Sequence, residues 1–391
     1  MRYADRMQHI RASEIRELLK LTEQPDVISF AGGLPAPDLF PTQQFADIFH
    51  DVLAHEGESY LQYGTTAGHN PLRASIATRL GKTSGVLVES ENILITNGSQ
   101  QGLDFAGKLF LNKGSVLLCE SPTYLAAINA FKAYEPRFVP VPTDREGMIP
   151  DFLEEIIRNE PDIRLAYIIP EFQNPTGKSW SEARRRRIME IFSRTEIPIL
   201  EDNPYGELRF EGKTPPSLMS LDHKGQVIGL GTFSKILCPG LRVGWITASE
   251  ELISRFDLIK QGADLHTSHL PQACIQRYLE TCDLDAHIAS LRTVYASRRD
   301  AMIQALDRHF PEGLTVDPPS GGLFLWAALP EGTSARRLLE RCLELKVAFV
   351  PGGAFFPEGG HENTMRLNFS NMPEPRIDEG IRRMRQACLS L

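Results

Sequence analysis

The 391-residue sequence has no excess of basic charge: 42 Lys+Arg stand against 50 Asp+Glu, a formal net charge of −8. General nucleic-acid binders normally carry a basic excess, so that class is disfavoured. No apolar run reaches the ~18 residues needed to cross a bilayer. The opening MRYADRMQHIRASEIRELLK lacks the apolar stretch of a secretory signal. The six cysteines (Cys119, Cys238, Cys274, Cys282, Cys342, Cys388) form no C-x-x-C pair. Scattered thiols of this kind read as reduced cysteines of a cytoplasmic protein. Internal repeats and low-complexity tracts are also missing.

Several chemical signatures are absent too. No G-x-G-x-x-G opens a helix after a strand, which disfavours a dinucleotide enzyme, and GLGTFSK lacks the spacing of a phosphate-binding P-loop. His266 and His269 have no matching third or fourth ligand, so no zinc site is expected. The run Arg184–Arg187, beside Glu182 and Glu190, reads as the solvated face of a helix. What is present is an ordinary globular composition, 42% hydrophobic and 24% charged. The length suits two or three domains of ~100–200 residues.

Ile15, Leu18 and Leu19 follow helical spacing, with Ser13 as a plausible N-cap. From Asn92 onward, short apolar runs recur: NILITN (92–97), SVLLCE (115–120), RLAYIIP (164–170), IPILED (197–202), QVIGLGT (226–232) and VGWITA (243–248). Such continuous runs suit strands buried on both faces. Helical stretches separate several of them, at 100–111 and 181–194, so the expected class is α/β with a mainly parallel sheet. Beyond Leu270 the pattern changes. One long helical region is expected from Pro271 to about Phe310, followed by strand-like GGLFLWAALP (321–330), a helix near 333–345, AFVPGGAFF (348–356), MRLNFS (365–370) and a terminal helix near 375–389. This pattern predicts a smaller α+β domain, with a cleft between the two.

In an open parallel sheet, ligands bind beyond the carboxyl ends of the strands. Polar groups follow the strands in order here. Gly98-Ser99-Gln100-Gln101 opens a helix whose free N–H groups suit a phosphate. Next come Ser121-Pro122-Thr123-Tyr124, Asn174-Pro175-Thr176-Gly177, Asp202-Asn203-Pro204-Tyr205, and Phe233-Ser234-Lys235 with Arg242 seven positions later. Each alone is an ordinary turn; the signal is in their order and sum.

That series, with the late M-R-L-N-F-S, resembles the class I/II aminotransferases of fold type I, which use pyridoxal 5′-phosphate (PLP). The resemblance runs from Gly32 to Arg366. Ser13 and Arg16 in S-x-I-R, the GGLPxPxxFP segment (32–41) and LQYG (61–64) are most similar to the 2-aminoadipate, kynurenine and related aromatic or branched-chain branch. It implies a mainly parallel seven-stranded sheet in a large domain at 46–280. Residues 1–45 would form an N-terminal arm belonging to the small domain, which 281–391 completes.

The resemblance also implies roles. Lys235 links covalently to the cofactor aldehyde and later moves a proton at the substrate Cα. An ordinary lysine, with a pKa near 10.4, is less than about 0.1% neutral at pH 7, so this amine needs a special setting. Asp202 pairs with the pyridine nitrogen, Tyr205 and Asn174 bond the phenolic oxygen, and Tyr124 stacks on the ring. Ser99, Gln100, Thr232, Ser234 and Arg242 hold the phosphate. Tyr63 resembles a tyrosine that reaches the phosphate from a neighbouring subunit, which implies a homodimer. Arg366 clamps the substrate carboxylate in a bidentate pair. Gly33 brings backbone near the substrate, and Arg16 meets an acidic side chain if the N-terminal helix covers the site. The expected activity is transfer of an amino group from an L-amino acid to a 2-oxo acid such as 2-oxoglutarate, with no nucleic-acid or membrane partner. Two rivals stand beside it. One is another PLP reaction at Cα, a β-lyase or decarboxylase. The other is a non-enzymatic effector-binding domain of the aminotransferase-like kind.

Overall fold

The computed structural model describes residues 1, 3–8, 26–310 and 313–390. The helix expected around Ser13, with Arg16 on it, lies outside the described residues. After a two-residue strand β1 (Ile28–Ser29), the chain builds one sheet from β2 (Ile93–Thr96), β3 (Val116–Ser121), β4 (Arg137–Asp144), β5 (Gly147–Met148), β6 (Ile163–Ile168), β7 (Ile199–Asp202), β8 (Val227–Thr232) and β9 (Gly244–Thr247). Their spatial order is β2-β9-β8-β7-β6-β3-β4-β5. Strands β4, β3, β6, β7 and β8 run parallel, while β9 is antiparallel to both β8 and β2. The seven strands implied above form this sheet, and the short β5 folds back on β4 as an eighth.

Side chains alternate between the faces of a strand, and both faces here are apolar. Leu117, Leu165, Leu200 and Ile228 join one buried cluster, whereas Leu118, Ala166, Ile199 and Val227 join another. That two-sided burial is why the strands read as unbroken aliphatic runs. Strand β4 escaped that reading because Pro140 and Pro142 interrupt it. Proline is tolerated near a sheet edge, and β5 pairs only with Thr143 and Asp144 on that side.

The long helical region divides into His269–Thr281 and Leu284–His309. Cys282 turns extended, and the Asp283 side chain accepts from the Ala286 N–H at 2.9 Å, capping a new helix. Among the described residues no helix is long and apolar enough to cross a membrane.

The arginine run is not a solvated face throughout. On the helix Glu182–Phe192, Arg185 shares its stripe with Ile188, Met189 and Phe192, an i, i+3, i+4, i+7 pattern that faces the core. Arg185 is 1% exposed. It pairs with Glu171 at 2.9 Å and donates to the carbonyls of Trp180, Pro170 and Pro216. Arg184 is also largely covered and pairs with Asp144.

A second sheet takes β10 (Thr315–Asp317), β11 (Phe324–Ala328), β13 (Val350–Pro351) and β14 (Thr364–Asn368), all antiparallel in the order β10-β11-β14-β13. Strand β12 (Val347–Ala348) instead pairs in parallel with β1. The Asn368 N–H donates to the Phe30 carbonyl at 2.8 Å. These bonds bring the segment after β1 beside the late strand that carries Arg366.

Candidate active site

Strands β3, β6, β7 and β8 run parallel, so their carboxyl ends share one edge of the sheet. Asp202 is the last residue of β7 and is 3% exposed. Its Oδ2 accepts from the Tyr167 hydroxyl at 2.8 Å. Its Oδ1 is buried and has no hydrogen-bond partner among the described residues. Burial raises the carboxyl pKa to about 6, against the lowering pull of the Tyr167 bond.

Lys235 follows β8. Its Nζ donates to the Gly33 carbonyl at 2.9 Å. Burial, and then the charges of Arg242 and Arg366, lower its pKa to about 8. At pH 7 such an amine is on the order of 10% neutral, far more than an ordinary lysine. Gly33 leaves little room beside it: a Cβ there would stand 3.1 Å from the Phe324 ring.

Arg366 lies on β14 and is buried. Its Nη1 donates to Asn174 Oδ1 at 2.8 Å, and its Nη2 to the Ala31 carbonyl at 2.6 Å. Asn174 in turn donates through Nδ2 to the Tyr205 hydroxyl at 3.3 Å. The guanidinium lies over the rings of Phe324 and Phe355, at 4.2 and 5.1 Å from their centroids. These rings fix its plane. Burial lowers its pKa to about 10, which leaves it cationic at neutral pH. Burial also raises the Tyr205 phenol well above its ordinary value, so this hydroxyl stays protonated.

A separate corner is suited to an anion. Gly98, at φ 73°, precedes the helix Ser99–Phe110. Arg242 Nη2 donates to the Asn97 carbonyl at 3.2 Å and lies across Gly98. Ser99 Oγ donates to the Gly231 carbonyl at 3.3 Å. Thr232 donates to Ser234 Oγ at 2.9 Å and accepts from the Ser234 N–H at 3.1 Å. Helix N–H groups, three hydroxyls and a guanidinium make an anion site by the usual electrostatics. Tyr124, half-buried, sits at the N-cap of the helix Leu125–Lys132. Gln100 reaches across to the Ala126 carbonyl at 3.5 Å.

The structure therefore gathers Asp202, Tyr205, Asn174, Lys235, Gly33 and Arg366 around one strand edge, with the anion corner built from the next helix. Tyr63 stands apart, 77% exposed, its ring edge-on to that of His266 with centroids 5.7 Å apart. Arg16 lies outside the described residues.

Supporting residues went unread in the sequence. Gln173 donates to the Pro122 carbonyl at 2.7 Å and accepts from the Thr176 N–H at 3.0 Å, tying two of the loops together. Lys260, fully buried, bonds Asp264 at 2.9 Å and Gln101 at 3.1 Å. Asp264 then accepts from Asn97 at 2.5 Å, which steadies the turn under Arg242. Tyr167 is the partner of Asp202. Its one signal was a hydroxyl within the buried stretch Leu165–Ile168 of β6.

The arrangement offers a nucleophilic amine, a buried carboxylate with a bare oxygen, an anion corner and a second guanidinium. Comparison with known proteins bears on what uses it. The family model described as aminotransferase class I and II matches residues 26–384. Aromatic-amino-acid aminotransferase 1 of Thermococcus litoralis is 45% identical over 386 residues, which are 98% of this chain and 93% of that one. The alpha-aminoadipate aminotransferase of Thermus thermophilus, solved with N-(5'-phosphopyridoxyl)-L-leucine, has a TM-score of 0.93 at 42% identity, covering 99% of this chain and 97% of that one. The kynurenine aminotransferase of Pyrococcus horikoshii, solved in complex with PMP, has a TM-score of 0.94 at 42% identity, with the same coverage.

Proposed function

The chain belongs to the aminotransferase class I and II family, and from that premise we propose which of its residues carry out PLP-dependent transamination. The residues present fit PLP. Asp202 keeps an orphaned buried oxygen where a protonated ring nitrogen needs an acceptor. Arg242 can lie across the start of the helix Ser99–Phe110 only because Gly98 has no Cβ, which sets a guanidinium beside free helix N–H groups that suit a phosphate. Lys235 is an amine with a depressed pKa. Bound PLP supplies an electron sink for the carbanion left when the substrate Cα–H bond breaks.

This chain's own groups do the rest. Lys235 would hold the cofactor through its aldehyde and, as a free amine, would move a proton at the substrate Cα. Positioned transfer of this kind typically contributes ~10²–10⁴-fold. Asp202 Oδ1 would accept from the ring nitrogen and keep it protonated. Tyr205 and Asn174 bond the phenolic oxygen, and Tyr124 covers the ring. Ser99, Gln100, Thr232, Ser234 and Arg242 hold the phosphate. Arg366 takes the substrate carboxylate in a bidentate pair, and the flanking Phe324 and Phe355 keep water from it.

The proposal extends to substrates and assembly. The donor is an L-amino acid of the 2-aminoadipate, aromatic or branched-chain kind, and the acceptor is 2-oxoglutarate, in two ping-pong half-reactions. The names of the relatives support the aromatic and aminoadipate kinds, and the phosphopyridoxyl-leucine bound to one of them supports the branched-chain kind. Tyr63, exposed on its own chain, would complete a partner's phosphate site in a homodimer. The free state of all six cysteines supports a reducing, cytoplasmic setting. The large domain would span 46–280, with 1–45 and 281–391 forming the small one. The pairing of β1 with β12 supports that grouping.

The observation that carries the assignment is Asp202 Oδ1, because a buried carboxylate oxygen without a donor is costly unless a ligand supplies one. The test is a half-reaction panel. Wild-type holoenzyme mixed with each amino acid should lose its PLP absorbance, while Lys235→Ala should not. A Lys235→Ala protein that still holds PLP covalently and turns over normally would overturn the assignment.

A further inference from the structure

The strand β6 reads I-R-L-A-Y-I, and its one hydroxyl belongs to Tyr167, 1% exposed. A phenol buried that deeply must find a partner. Register decides which. Tyr167 is paired with Leu200 on β7. Leu200 and Asp202 point to the same face, since alternate residues do, so Asp202 is the diagonal neighbour of Tyr167 within reach of a long side chain. The bond is 2.8 Å, and Tyr167 is the donor. Burial and the nearby Asp202 charge hold the phenol well above its ordinary pKa, so it donates at every working pH.

Two further observations give this bond a purpose. Phe131 braces the Tyr167 ring edge-on, with centroids 5.7 Å apart, which fixes where the hydroxyl aims. Glu120, the other buried acid near Tyr167, is engaged elsewhere by the Ile169 N–H and Trp180 Nε1. Only Oδ2 of Asp202 is thus restrained, and Oδ1 is left bare.

We propose that Tyr167 is a positioning residue: its hydroxyl turns the Asp202 carboxylate so that Oδ1 faces the PLP ring nitrogen, and keeps that carboxylate ionised. The inference rests on Asp202 being the partner of the ring nitrogen. Tyr205 also lies near Asp202, but its hydroxyl accepts from Asn174 Nδ2. Without the Tyr167 hydroxyl, Oδ2 is bare as well. The carboxylate is then free to rotate and takes a proton more easily, and the ring nitrogen loses its fixed acceptor.

The test uses cofactor-free wild type, Tyr167→Phe, Asp202→Asn and the double variant. Each is reconstituted with PLP, or with the PLP analogue in which a C–H replaces the ring nitrogen. Cofactor affinity is read by fluorescence quenching, and the half-reaction by single-turnover absorbance. With PLP, Tyr167→Phe should bind more weakly and react about 10-fold slower, the scale of one charge-assisted hydrogen bond. With the analogue it should match wild type within about twofold, and in the Asp202→Asn background it should add no further loss. Equal losses with PLP and the analogue would mean that Tyr167 is only structural, and no loss with PLP would also overturn the inference. If Asp202→Asn itself behaves like wild type, the parent assignment of Asp202 fails instead. Phe131→Leu, which frees the ring but keeps the hydroxyl, gives a second reading should Tyr167→Phe fold poorly. Its loss should be smaller and again confined to PLP.

Discussion

A Cβ added to Gly98 would stand 2.6 Å from Nη2 of Arg242. The guanidinium occupies the space that any larger residue would need. Gly98 also sits at φ 73° and ψ 169°, a region open essentially only to glycine, where an L side chain costs about 1–3 kcal/mol. Gly98→Ala should therefore push Arg242 aside and weaken PLP binding about 10-fold or more. Fluorescence titration of the cofactor-free variant measures this, and an unchanged dissociation constant would place the phosphate elsewhere.

Lys235 should leave a pH signature in the cofactor-free protein. Its pKa is lowered from 10.5 to about 8 by burial and by the charges of Arg242 and Arg366. Between those pH values the unfolded chain holds a proton that the folded chain has released. Stability from this group therefore rises with pH across that window and is absent below it. Lys235→Met should be the more stable protein at pH 7, with the gap closing as pH approaches 10.5. Denaturant midpoints at pH 7 and pH 10 decide the matter; a gap that widens with pH contradicts the sign.

Arg366→Lys keeps the charge but loses the planar fork. It also strips Asn174 Oδ1 of its donor. The value of kcat/KM for amino donors should fall about 10- to 150-fold, the equivalent of one charged hydrogen bond. Cofactor affinity should stay within about twofold. A large loss of PLP affinity with little change in kcat/KM would reverse the roles of Arg366 and Arg242.

Arg185→Ala addresses stability. It removes a buried cation from Glu171 and from three backbone carbonyls. Breaking such a pair typically costs about 3–5 kcal/mol; Arg209, which also bonds Glu171 at 2.6 Å, should hold the loss near the lower end. The thermal midpoint at a fixed scan rate should drop by several degrees. A solvated arginine would leave it unchanged.

The legible parts were those with local signatures. The aliphatic strands from Ile93 to Thr247 announced a doubly covered sheet, and Asp202 and Lys235 stood out because one ends such a strand and the other comes three residues after one. Arg185 hid within a run of four like residues. Composition cannot tell the four apart, and only the helical phase shared with Ile188 and Phe192 does. Strand β4 hid behind two prolines that its place near the sheet edge excuses. Tyr167 passed as one more apolar residue, because nothing in the strand itself says where its hydroxyl goes.

By itself, then, the sequence determined the kinds of groups at the strand ends and their order along the chain. Each is set by a residue and its near neighbours. Only the tertiary structure decided which groups meet. Lys235 finds Gly33 at a separation of 202 positions, Arg366 finds Asn174 at 192 and Ala31 at 335. Contacts across such distances depend on strand register and on β1 joining β12, and the hydrogen-bonding capacity of a lone residue does not name its partner.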